Sequence, residues 1–383
     1  MTKVLHLTTH VNVGGITSYI RLLTKEMRGL GYQFYVASSG GNQRETIEKS
    51  GVYCKRFNIK TKSELSPKLY FAILPLVRFV KREKIDMMHA HTRVTQVLAW
   101  WIRLFTGIPY VSTCHGFYKH RLGRKLFPAW GNHVIAISGP VEDMLKEKFD
   151  VPGNRASTIF NAVDIDDLNA RYQQKNPITI RNELNIEPNA PVVGIIARVV
   201  VDKGHEYFLR AVNKLSTGQF PNIIVLIVGE GPNLTKIENL VDGLAMQNKV
   251  RFLGSLHDVT YALSVMDIFV LPAIWREGFG LSIIEAMAVK KPAIVTNIWA
   301  LNALIEDRVN GILVPPKDEH ALAEAITELL TNNSLYQTLS ENGFAMVKER
   351  FSIPIMAANM SKLYQEVLRT INSKNGLLSR LFN

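Results

Sequence analysis

Two doubly wound α/β domains in tandem are what this sequence predicts, on three observations. Short apolar runs alternate with amphipathic ones, the arrangement of a parallel sheet covered by helices. The alternation stops over residues 171–190 and restarts at 191. With 383 residues, the chain is too long for one ordinary core.

The elements follow in order. "KVLHLT" (3–8) and "QFYVASS" (33–39) have the length and apolarity of buried strands. Between them "GGITSYIRLLTKEMRGLG" (14–31) sets Leu22, Leu23 and Met27 on one helical side, with Gly31 as a stop signal. Strand, helix, strand is the unit of a parallel sheet. It continues through "IDMMHAH" (85–91), a helix over 92–106, "PYVSTCHG" (109–116) and "HVIAISGP" (133–140). Residues 171–190 are polar, hold Pro177 and Pro188, and read as a linker region. The second half contributes "PVVGIIARV" (191–199), "NIIVLIVGEG" (222–231), "KVRFLG" (249–254), "DIFVLP" (267–272), "PAIVTN" (292–297) and "GILVPP" (311–316) as strands. Helical patterns fill 318–332, 335–350 and 352–371. The expected domains are 1–170 and 191–350.

Composition narrows the function classes. The apolar fraction of 47% supports real cores and argues against disorder. Two cysteines, Cys54 and Cys114, supply neither a disulfide framework nor a four-ligand metal site. The first residues show no leader pattern, and no uncharged apolar stretch reaches the ~18 residues of a spanning helix. A cytoplasmic protein is expected, with peripheral placement on the membrane face as an option. A net charge of +12 favours anionic partners. Nucleic acid is the weakest of these, for want of a zinc-finger spacing, an RNP signature or a long basic arm.

In open parallel sheets, ligands bind beyond the carboxyl ends of the strands. Gly14 and Gly15 follow the first strand and open a helix, as a phosphate loop or as a plain turn. No dinucleotide fingerprint or P-loop is present; Gly229-x-Gly231 lacks the third glycine. His89, His91 and His115 end strands, without a third metal ligand spaced beside His89 and His91. Arg198 and Lys203, in "ARVVVDKG" (197–204), are cations placed to clamp a diphosphate, or a solvated pair. In "WREGFGLSIIEAMA" (275–288) two carboxylates bracket a glycine turn. Ser282-x-x-Glu285 fits a capping box, and Glu285 also suits the vicinal hydroxyls of a ribose. Glu277 is placed for a second sugar. "VDIDD" (163–167) reads as a turn or helix start rather than a metal motif.

These stretches together resemble the GT-B-fold glycosyltransferases of family 4, retaining enzymes that use nucleotide sugars. "EGFGLSIIEAMA" is similar to the family's Glu-x7-Glu element and "ARVVVDKG" to its Gly-Arg-…-Lys-Gly element, with Ala197 in place of the first glycine. "NAVD" (161–164) is similar to the segment before its hinge. The resemblance implies two Rossmann-like domains facing a cleft, with the last helix crossing back to the first domain. It implies His115, Glu277, Arg198 and Lys203 as catalytic residues. Donor binding is implied for Gly14, Gly15, Arg198, Lys203, Glu277, Gly278, Phe279, Gly280, Leu281 and Glu285. It implies no metal and no cofactor beyond the donor, with a UDP-sugar expected. The implied acceptor is a glycan or lipid-linked hydroxyl in cell-surface polysaccharide or glycolipid synthesis. The sequence departs from the family where two glycines and a glutamate would follow "PAIVTN"; Trp299, Ala300 and Ala303 stand there. A sugar-nucleotide epimerase of the same fold and a non-catalytic nucleotide-binding relative are the alternatives. Basic and aromatic residues mix in "RFVKREK" (78–84) and "FYKHRLGRKLFPAW" (117–130), and "LLSRLF" (377–382) is amphipathic. An anionic membrane surface is a candidate partner.

Overall fold

A computed structural model describes residues 1–118, 122–275 and 277–381. The chain divides into two compact units, Met1–Ala162 with Ile353–Asn383, and Val163–Ser352.

In the first unit seven parallel strands form one sheet: β1 (Thr2–Leu7), β2 (Tyr32–Ser38), β3 (Tyr53–Arg56), β4 (Met87–Ala90), β5 (Tyr110–Cys114), β6 (His133–Ala136) and β7 (Ala156–Thr158). Their order is β3-β2-β1-β4-β5-β6-β7, so the winding reverses between β1 and β4. That reversal is where ligands gather in such sheets. The register there sets His6 opposite His89. On one face, the helix Gly15–Met27 buries Ile20, Leu23 and Met27 in a core shared with Met356, Met360 and Tyr364 of the last helix, Ile353–Leu381. Tyr32 Oη lies 3.0 Å from Ser361 Oγ. On the other face, Leu69, Leu76 and Val80 of the helix Pro67–Glu83 pack with Leu98 and Ile102 of the helix Arg93–Thr106. The last helix thus belongs with the first unit, as the resemblance implied.

The second unit has six parallel strands: β8 (Val192–Ile196), β9 (Ile224–Val228), β10 (Val250–Gly254), β11 (Ile268–Leu271), β12 (Ala293–Thr296) and β13 (Ile312–Val314). Their order β10-β9-β8-β11-β12-β13 reverses between β8 and β11.

Residues 171–190 differ from the expected linker. Half of them are helical, in the end of Ile165–Gln173 and in Pro177–Glu183, and the division of the chain falls earlier, after Ala162. Pro177 sits at the first helical position, where its missing N–H has no partner to lose, and Asn176 accepts from the Ile178 and Thr179 N–H groups at 3.0 and 3.2 Å. The proline is a start signal here rather than a breaker. Asp164 of "VDIDD" caps the other helix by accepting from the Asp167 N–H at 3.2 Å, in keeping with a helix start. Lys119, His120 and Arg121 of the basic stretch and Phe382 of the tail lie outside the described residues.

Candidate active site

Each unit carries its own polar cluster at the winding reversal of its sheet. In the first unit, Gly14 and Gly15 lead into the helix Gly15–Met27 and are exposed, with open space where side chains would stand. Their bare backbone lets a ligand approach the helix N-terminus closely. His115 follows β5 and is half-buried. Its Nε2 lies 3.0 Å from Nδ1 of His91, and Nε2 of His91 lies 2.8 Å from Nδ1 of His6. His89 stacks on His91 at 4.2 Å between ring centres, with its own nitrogens 2.6 Å from Tyr364 Oη and 2.6 Å from Thr113 Oγ1. Tyr19 sets its ring edge-on to His115 at 4.9 Å.

His6 is the member that sequence reasoning missed. It lies over 80 positions from its partners, and its only signal was a lone histidine in an apolar strand. With it, three histidines place nitrogens within 4.8 Å of one another. Their geometry suits hydrogen bonding better than an ion. The lone pairs lie in the ring planes, and the rings are nearly parallel, at 15° for His6 and His91 and 27° for His89 and His91. Both nitrogens of His89 and of His91 are already engaged. Burial pushes His6 and His115 down to about 3 and holds His89 and His91 well below the ordinary histidine range, so all four rings are neutral at pH 7.

In the second unit, Arg198 and Lys203 follow β8, and Glu277 follows β11. The two loops are tied together by the Ile274 N–H donating to Asp202 O at 2.9 Å. Gly204 makes this possible. It has a φ of 72°, and a Cβ there would overlap the Pro272 carbonyl. Lys203 pairs with Glu277, whose other oxygen accepts from the Gly278 N–H at 3.0 Å. Arg198 is exposed. Glu285 is half-buried in the helix Leu281–Ala288, and burial pushes its carboxyl up to about 7 against the pull of Arg171.

Two expectations change. Gly280, with φ 90°, is the cap residue, so the helix starts two residues early and Ser282 stands inside it rather than capping it. The capping box is therefore absent, and Glu285 lies in the second turn. Phe279 turns its side chain into the core, edge-on to Phe351 at 5.4 Å, leaving only its backbone for a ligand. Where the family's glycines fall, Ala300 is buried and Trp299 is 55% exposed. His205, directly after Gly204, was also missed. It is buried with no partner at either nitrogen among the described residues, and burial with Lys203 nearby pushes it down to about 4.

Known proteins agree with this architecture. The family model described as Glycosyltransferase Family 4 matches residues 13–167, and that described as Glycosyl transferases group 1 matches 177–346. Among curated relatives, a UDP-Gal:alpha-D-GlcNAc-diphosphoundecaprenol alpha-1,3-galactosyltransferase of Escherichia coli is 25% identical, over 78% of this chain and 79% of its own. An N-acetyl-alpha-D-glucosaminyl L-malate synthase of Bacillus anthracis is 23% identical, over 97% and 98%. Among solved structures, a glycosyltransferase from Rickettsia africae superposes with a TM-score of 0.85 at 22% identity, covering 96% of this chain and 98% of its own. Anabaena HepE in complex with UDP-glucose does so with 0.81 at 21%, covering 96% and 100%. The fold is GT-B, with two Rossmann-like domains.

Proposed function

This chain belongs to glycosyltransferase family 4, and we propose that it transfers a sugar with retention from a UDP-sugar to a hydroxyl of a glycan or lipid-linked acceptor, without a metal. The observation that carries the reading is the grouping of Lys203 and Glu277 on tied loops at the winding reversal, with Arg198 and Glu285 on adjoining elements. HepE, solved with UDP-glucose, lends support for the base.

In this reading Glu285 accepts the ribose hydroxyls, and Glu277 holds the donor sugar. Lys203 leaves Glu277 for the diphosphate, joined by Arg198. As the anomeric C–O bond to phosphate breaks, negative charge gathers on the diphosphate, and these cations stabilise it. The acceptor oxygen bonds to the anomeric carbon on the same face, and its proton passes to the leaving phosphate. His115 meets the reacting sugar. The apolar outer wall of the first unit suits a lipid-linked acceptor. A cavity of about 820 Å³ there is lined by Trp100, Trp101, Tyr70, Phe127, Arg93 and Lys62. Beside it, Phe71 and Leu74 are 82% and 58% exposed on the helix that carries exposed Arg78 and Lys81 one and two turns further along. Apolar side chains beside cations suit the headgroup boundary of an anionic membrane. Among the described residues, no helix is long and apolar enough to cross a membrane.

The test is calorimetric titration of UDP, GDP, ADP and dTDP, without metal, into wild type and Glu285→Ala. Tight binding of UDP alone, lost in the variant, is the expected result. Absence of binding by every nucleotide would overturn the catalytic reading. For the membrane, sedimentation with anionic vesicles should weaken steeply as salt rises; salt-insensitive binding to neutral vesicles would remove the electrostatic part.

A further inference from the structure

His6, His91 and His115 form one hydrogen-bonded chain, Nδ1 to Nε2 to Nδ1 to Nε2. All three rings are neutral, and a neutral imidazole carries one proton on its two nitrogens. The chain therefore has a direction, and a single proton order runs through it. In one order all three rings hold the proton on Nδ1. His6 donates to His91, His91 donates to His115, and His115 keeps its proton on Nδ1, the nitrogen not bonded to His91. In the opposite order all three hold it on Nε2. His115 then offers a bare Nδ1, and His6 buries an Nε2–H.

The buried end decides between them. His6 is fully buried, and its Nε2 has no partner among the described residues. The second order would strand an N–H donor there, the rarer and costlier defect in protein interiors. The first order strands only a lone pair and moves the free N–H to half-buried His115, where water or a ligand oxygen can accept it. We propose that His6 and His91 are positioning residues that lock His115 as an Nδ1–H donor. His115 then donates a hydrogen bond to an oxygen of the bound sugar and does not serve as a base. The role in sugar binding rests on the function proposed above; the proton order does not.

The experiment is a long-range ¹H–¹⁵N correlation spectrum of the full chain, labelled at histidine, at neutral pH and without nucleotide. The expected result is a protonated Nδ1 and a bare Nε2 for His6, His91 and His115. This form is the minor one in free histidine, so it is distinctive. A protonated Nε2 at His115, or both nitrogens protonated, would overturn the proposal. In His6→Phe, which removes the partner of His91 Nε2, His115 should lose the pure Nδ1–H pattern while His133 keeps its own. An unchanged His115 in the folded variant would also overturn it. Should that variant not fold, the wild-type spectrum still decides. Since no nucleotide is present, a failed nucleotide titration leaves this result standing, and a wrong tautomer leaves the nucleotide reading standing.

Discussion

The two units share a winding pattern and differ in how they treat polarity at its reversal point. The first closes its site on itself. Four neutral histidines satisfy one another and two hydroxyls, and nearly every nitrogen is engaged before any ligand arrives. The second leaves charge in place. Lys203 is held by a carboxylate, Arg198 is exposed, and Glu285 is buried enough to hold its proton to about pH 7. One cluster is organised in advance, whereas in the proposed reading the other is completed by the donor. A diphosphate suits the second, because its charge replaces an internal ion pair rather than a neutral lattice.

This contrast can be broken at several points. The largest expected effect is on the first unit. Tyr364→Ala removes a fully buried ring and the partner of His89, so it should cost about 3–5 kcal/mol of that unit's stability in urea. An equal loss in both units would show that they unfold as one body. Gly204→Ala comes next. It forces the loop of Lys203 away from Pro272, and nucleotide affinity measured by calorimetry should fall roughly 100-fold, or ~2.7 kcal/mol. Retained affinity would mean that the tie between these loops is dispensable.

Acidity should separate the units in opposite directions. Histidines held below their ordinary value of 6.5 bind protons less readily when folded, so their contribution is present above that pH and is lost as pH falls. Glu285, raised from 4.5 to about 7, contributes below its ordinary value and loses that contribution as pH rises to 7, by roughly 3 kcal/mol in full. His205 alone among the site residues of the second unit pulls the other way. Between pH 7 and 5, hydrogen exchange should therefore quicken in β1, β4 and β5 while the helix Leu281–Ala288 holds or gains protection. In Glu285→Gln that gain should vanish. The smallest effect is Ser282→Ala, expected below about 0.5 kcal/mol in thermal melts. A loss near 1 kcal/mol would restore the capping box.

Much of the fold was legible because buried parallel strands read as short apolar runs, and the residues proposed to face a ligand were found by looking after them. Arg198, Lys203, Glu277 and His115 all stand just past a strand. The edge strands Tyr53–Arg56 and Ala156–Thr158 were not legible, being short and largely without a buried apolar run. The pattern Ser282-x-x-Glu285 misled because a left-handed Gly280 begins the helix before the serine. Pro177 misled because a proline marks a start as readily as a stop. His6 needed strand register, which depends on the pairing of β1 with β4, strands separated by the whole of β2, β3 and their helices.

The return of Ile353–Leu381 to the first unit has a consequence for synthesis on the ribosome. Residues 1–162 emerge first, yet the face that Met356, Met360 and Tyr364 cover stays bare until the whole of Val163–Ser352 has been made. The second unit is contiguous and complete before the first can close. The first unit to begin is thereby the last to have all its residues, and the apolar face around Tyr32 and Met27 is the surface a chaperone would meet in the interval.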